Sequence, residues 1–169
     1  MKKTISLILA ALLAALCFAA VAEESVGLAN PWTETTAEAL LENPGVAFGI
    51  PEGAENIRYF LLADEGLAEM QFTWYGEDYV ARIKPAVEFE DISGMCYDAW
   101  DDEMECDIGG CAGRMMRVRD GENTVDVCLW FDAVPGIMYS VSVVAPDLDG
   151  FDITASAMQL YVPMQGDSD

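Results

Sequence analysis

Histidine is missing from this 169-residue sequence, and lysine and arginine together number only 8 against 30 aspartates and glutamates. Without an imidazole the chain can build no Ser-His-Asp or Cys-His nucleophile, no histidine general base and no histidine-ligated zinc site. The shortage of cations leaves a formal charge of −22. That excludes nucleic acid as a partner, because phosphate binding depends on cationic side chains that release counterions. Interior linkers are also lacking. No repeat, low-complexity tract or Pro/Gly-rich break divides residues 30–162, which read as one domain.

The longest uncharged run is at the N-terminus, where Lys2 and Lys3 precede Ile5 to Phe18 and Ala20-Val21-Ala22 forms a small-x-small site before Glu23 and Glu24. This is the layout of a cleaved secretory signal peptide over residues 1–22. Two other readings compete for the same residues. An uncleaved anchor is one, since the 18 residues from Ile5 to Ala22 approach the length of a bilayer span. Acylation at Cys17 is the other, and the bulky Leu16 before it argues against that. Cleavage takes two of the eight cations with it, leaving 6 against 30 carboxylates, a net of −24, with no membrane span behind. The expected location is the extracellular medium or the outer side of the cell envelope. Residues 23–29 and the acidic segment 163–169 read as flexible ends.

Four cysteines follow the leader: Cys96, Cys106, Cys111 and Cys128. An even number in an oxidising compartment reads as two disulfides, with three connectivities open. With Gly109-Gly110 as a tight turn, Cys106 and Cys111 fall diagonally on one face, where they could just reach each other.

A short helix is expected over Thr36 to Glu42, with Thr35 and Glu38 at capping-box spacing and Asn43-Pro44-Gly45 as its stop. After an apolar stretch, Val46 to Ile50, the period becomes alternating. Seven strands follow: Ile57–Ala63, Leu67–Tyr75, Asp78–Lys84, Glu103–Ile108, Cys111–Arg119, Thr124–Phe131 and Ile137–Val144. Short turns join most of them, which makes neighbours antiparallel and predicts a meander. A last helix, about Gly150 to Tyr161, carries Ile153, Ala157 and Leu160 at helical spacing with Asp149 as its cap. The fold class is therefore α+β: an antiparallel β-meander of about seven strands with a short N-terminal and a C-terminal helix packed on the sheet.

Two finer expectations follow. If Gly76-Glu77 is a two-residue turn, Trp74 faces Tyr79, Phe72 faces Ala81 and Met70 faces Ile83, while Gln71 meets Arg82 and Glu69 meets Lys84. Arg82 and Lys84 then read as ion-paired surface rather than as an anion site. The segment Val125 to Phe131 is apolar at both parities, so it reads as a strand covered by a helix on one side and a folded loop on the other.

The ordered motifs Asn30-Pro31-Trp32, Asp91-Ile92-Ser93-Gly94, Asp107-Ile108-Gly109-Gly110, Leu129-Trp130 and Met138-Tyr139-Ser140-Val141 carry a resemblance. Over about residues 30–161 the chain resembles a family of small secreted or membrane-anchored domains of Gram-positive bacteria whose function is unknown. The resemblance implies an antiparallel sheet with flanking helices and brings no catalytic residues. The four cysteines and the acid-dense loop at 95–111 depart from the family pattern.

Residues 88–107 hold nine carboxylates, and hard oxygen donors at that density suit calcium, although the spacing is not that of an EF-hand. Asp98, Asp101, Asp102 and Glu105 are the candidate ligands, against the plainer reading of a solvated acidic loop. Paired carboxylates could also serve a hydrolase acting on carbohydrate or peptide, but no pair among 30 stands out. Met95, Cys96, Met104 and Cys106 are soft donors that suit cuprous copper, while Met70, Met115, Met116, Met138 and Met158 read as core filler. Ser93 reads as a turn residue. The leading expectation is a non-enzymatic binding or interaction module with a strongly acidic surface, whose partners are cationic peptides, proteins or metal ions. A carboxylate-dependent hydrolase and a calcium-binding secreted domain are the alternatives, and no other cofactor is expected.

Overall fold

Alternation of apolar and polar residues builds strands whose one face must be covered, and here both faces of a single sheet are covered by different parts of the chain. The computed structural model describes residues 30–145 and 153–163. The leader, residues 23–29, the Asp149 cap and the tail from residue 164 lie outside the described residues. The strands are β1 Thr33–Thr35, β2 Glu55–Leu62, β3 Leu67–Trp74, β4 Glu77–Pro85, β5 Asp102–Ile108, β6 Cys111–Asp120, β7 Asn123–Asp132 and β8 Ile137–Ala145. The helices are α1 Ala37–Glu42 and α2 Thr154–Leu160, with a 3-10 turn at Ala63–Glu65. No helix among the described residues is long and apolar enough to cross a membrane.

All eight strands pair antiparallel in the order β1-β2-β3-β4-β8-β7-β6-β5. The seven expected strands are present, and β1 is the addition, too short at three residues to show a pattern. The simple meander is corrected. Two four-stranded meanders meet at β4 and β8, because the chain leaves β4, crosses the sheet through residues 86–101 and starts again at the far edge with β5. The physical reason lies in that link. It carries Ile92, Met95, Tyr97 and Trp100, whose burial requires it to lie on the sheet rather than turn at its edge.

The sheet therefore has two cores. On one face Met70, Ile83, Cys128, Trp130 and Val141 pack with Leu40 of α1 and Ala157 and Leu160 of α2. On the other, Val125, Val127, Leu129 and Met138 pack under Ile92 and the loop aromatics, with Trp32. Residues Thr124–Trp130 of β7 are all buried, so the expected strand with a helix on one side and a folded loop on the other is what forms.

Two local expectations shift. Thr36, not Thr35, caps α1, its hydroxyl accepting from the Ala39 N–H at 3.3 Å, because Thr35 is already committed to β1. The β3–β4 turn is Tyr75-Gly76, both at positive φ (51° and 87°), the backbone of a type I′ hairpin, in which glycine carries no steric cost. Partners move by two residues as a result: Phe72 faces Tyr79, Met70 faces Ala81 and Glu69 faces Arg82. Since side chains repeat every two residues, the slip leaves every side chain on its expected face and changes only its partner.

Candidate functional site

Six lysine and arginine side chains lie in the described domain, and every one has a carboxylate within 4 Å. Arg117 and Asp126, cross-strand partners on β6 and β7, form a buried two-point pair at 2.5 and 2.6 Å. Their side chains are only 7% and 6% exposed, and the hydrogen bond to Asp126 raises the Arg117 pKa. Arg82 binds Glu69 at 2.7 Å, donates to the Ile92 carbonyl and lies under the Trp32 ring, while Gln71 holds the other Glu69 oxygen. Lys84 pairs with Glu90 instead of the expected Glu69. At the surface, Arg58 pairs with Glu34, Arg114 with Glu103, and Arg119 with Asp101 and Asp102. Arg82 and Lys84 are thus ion-paired as expected, but they are partly buried beneath the 86–101 loop rather than exposed. The remaining charge is carboxylate without a cationic neighbour, so the surface attracts cations and repels anions.

The acidic segment does not gather its expected ligands. Asp102 and Glu105 are an odd number of residues apart on β5, so they project from opposite faces of the sheet. Asp101 accepts the Arg119 backbone N–H at 2.7 Å and lies 3.6 Å from its guanidinium. Asp98 is exposed in the loop ahead of them. Among the described residues no group of three or more Cys, Asp or Glu converges in a way that would hold a metal ion. Ser93 is buried in a turn, its N–H and hydroxyl both donating to Asp91 Oδ1.

An opening of about 220 Å³ lies between α1, the segment after it and β2. Its origin is local. The stop at Asn43-Pro44-Gly45 turns the chain back on α1, so that Leu40 and Val46 enter the core at 1% and 0% exposure. Leu41 and Ile50 are left outside at 60% and 57%, and Phe48 and Tyr59, 6.2 Å between ring centres, floor the groove. Glu38 sits in its wall. Hydrogen bonds from the backbone and from Thr36 lower the Glu38 pKa, so the carboxylate is ionised at neutral pH. Burial, and then the Glu38 charge, raise the Tyr59 pKa. Sequence reasoning saw Val46 to Ile50 only as an apolar stretch without a period. Its signal was that such a run, between a helix stop and a strand, has more apolar residues than one buried face can take.

Three cysteines share the helix-covered face. Cys106 and Cys128 place their sulfurs 3.9 Å apart, and the buried Cys111 thiol donates to the Tyr161 hydroxyl at 3.5 Å, which donates to Asp132 at 2.6 Å. Burial raises the pKa of Cys111 and raises those of Tyr139 and Tyr161 further. The Trp130 ring stacks on Tyr139 at 5.0 Å, and its Nε1 meets no acceptor among the described residues. Cys96 is exposed on the loop that covers the opposite face. The expected proximity of Cys106 and Cys111 on one face holds, but Cys111 is turned to Tyr161 and Cys106 to Cys128. The Cys106 and Cys128 sulfurs, at 3.9 Å, are beyond disulfide bonding distance.

Compared with known proteins, the chain matches no family model, no curated protein and no solved structure. The resemblance to the Gram-positive family rests on its short motifs alone.

Proposed function

We propose that this domain is an exported, non-enzymatic binding module that takes cationic polypeptides by an apolar anchor seated in the groove of α1 and β2. The observation that carries this is the pairing of an open apolar groove with a surface on which every described cation is already neutralised. Exposed Leu41 and Ile50 offer contact area, and Glu38 offers charge at the same place. A partner with an aliphatic or aromatic residue between lysines or arginines satisfies both. The expected setting is the medium or the outer face of the envelope.

Isothermal titration with a soluble peptide alternating leucine and lysine tests it. Covering one leucine-sized side chain contributes about 1.5–3 kcal/mol, so Leu41→Glu, a change at an exposed site, weakens binding ~10–100-fold. Raising ionic strength from about 0.05 to 0.5 M weakens it too, because the attraction of exposed charges is screened. Binding that ignores both the substitution and the salt would refute the groove as the site.

A further inference from the structure

We infer that Cys106, Cys128 and Met115 form a binding site for one soft monovalent metal ion, cuprous copper by chemistry, on the helix-covered face of the sheet. The site is independent of the groove and uses none of its residues.

Cys106 lies on β5 opposite Gly113 of β6, and Gly113 lies opposite Trp130 of β7. Cys128 is two residues from Trp130 on the same face. The two cysteines therefore come from strands that are not neighbours, and their sulfurs meet above the intervening glycine. A Cβ at position 113 would stand 2.9 Å from the Cys106 sulfur, so only glycine leaves this space. The backbones of β5 and β7 are about 9.5 Å apart at ordinary strand spacing. A disulfide wants its Cα atoms within roughly 7 Å, so this pair cannot close without moving a strand. The same geometry suits a bridging ion. Two metal–thiolate bonds of about 2.3 Å to sulfurs 3.9 Å apart subtend an angle of about 115°, between the tetrahedral and trigonal values.

A bond angle of that size calls for a third donor. Met115 is the direct cross-strand partner of Cys128 on the same face and is 6% exposed. Soft thiolate and thioether donors favour Cu(I) over the hard ions calcium and magnesium. The carboxylates of this face nearest in sequence to Cys128 are engaged elsewhere, Asp126 with Arg117 and Asp132 with Tyr161. Cys106, on the edge strand and half-buried, is the point of entry. Binding transfers no electrons. Two S–H bonds break, their protons leave to solvent, and two copper–sulfur bonds form, with the Met115 sulfur adding a third.

The test is an anaerobic titration of the reduced full chain with tetrakis(acetonitrile)copper(I), read by ultraviolet thiolate-to-copper absorption and by X-ray absorption at the copper edge. One equivalent is expected, with three sulfur neighbours near ~2.3 Å. Cys106→Ala, at the half-buried edge, weakens it more than ~100-fold, and Met115→Leu reduces the sulfur shell from three to two. Cys96→Ser leaves it unchanged. Because the absorption spectrum of the unaltered protein reports the ligands directly, a variant that fails to fold does not decide the outcome. Retention of the equivalent in a folded Cys106→Ala, its loss in Cys96→Ser, a copper shell of nitrogen or oxygen, or a Cys106–Cys128 disulfide in the air-exposed protein would each overturn the assignment.

Discussion

Asp126→Ala removes one half of the Arg117–Asp126 pair and leaves a guanidinium in a place where its side chain is 7% exposed. Arg117 cannot escape by giving up its proton, since even without that partner a guanidinium stays protonated far above neutral pH. The two short bonds at 2.5 and 2.6 Å are both lost. Breaking a buried pair in this way costs about 3–5 kcal/mol, most of it the stranded charge. With a urea slope of roughly 1.5 kcal/mol/M for a domain of this size, the unfolding midpoint falls by about 2–3 M. The control is Glu103→Ala, which breaks the half-exposed pair to Arg114 and should cost no more than ~1 kcal/mol. Replacing both residues, Arg117→Met with Asp126→Val, restores most of the loss, because an apolar pair of similar volume does without the desolvation penalty. Urea titration followed by tryptophan fluorescence measures all three. Should Asp126→Ala cost no more than Glu103→Ala, or should the double variant be as unstable as the single, the pair is not desolvated and the reasoning fails.

Alkaline pH should destabilise the domain in two stages. Cys111, Tyr139 and Tyr161 all have folded pKa values raised by burial, so each stays protonated in the folded chain while the unfolded chain ionises. Their contribution is whole below the unfolded values. It begins to be lost above about pH 8.5 for the thiol and above about pH 10 for the tyrosines, at up to ~1.4 kcal/mol per pH unit for each group. Denaturation midpoints collected from pH 7 to 11 show this directly, and a flat profile to pH 11 would contradict it; Tyr139→Phe removes part of the upper stage. Gly113→Ala pushes a methyl group to 2.9 Å from both the Cys106 sulfur and the Leu129 carbonyl oxygen. The second of these is backbone and cannot turn away, so the substitution costs about 1–3 kcal/mol by urea titration, and a neutral result would mean that β5 is free to shift.

Much of the sheet was legible because its signals are local. Alternation over Leu67 to Trp74, or over Asp78 to Lys84, needs only neighbouring residues, and most of the seven strands follow from it. The double coverage of β7 was legible for the same reason, as apolar residues at both parities have to be buried on both faces. The β3–β4 hairpin shows the limit. Period-two patterning specifies the face but not the partner, and the choice between Tyr75-Gly76 and Gly76-Glu77 turns on backbone angles that the pattern does not contain. The groove was half legible, as an apolar run at Val46 to Ile50 without a place to go.

By itself the sequence determined the strands, their faces, the helix stop at Asn43-Pro44-Gly45 and the exclusion of histidine chemistry. Those depend on residue type and on spacing along the chain. Only the tertiary structure decided that β5 begins again at the far edge, that Cys96 lies across the sheet from the other three thiols, and that Cys106 reaches Cys128 over Gly113. Such pairings join residues far apart in sequence, and they follow from where the 86–101 link buries its apolar side chains. The scarcity of cations also acquired a place in the structure. All six in the domain have a carboxylate partner, and the uncompensated charge is carboxylate.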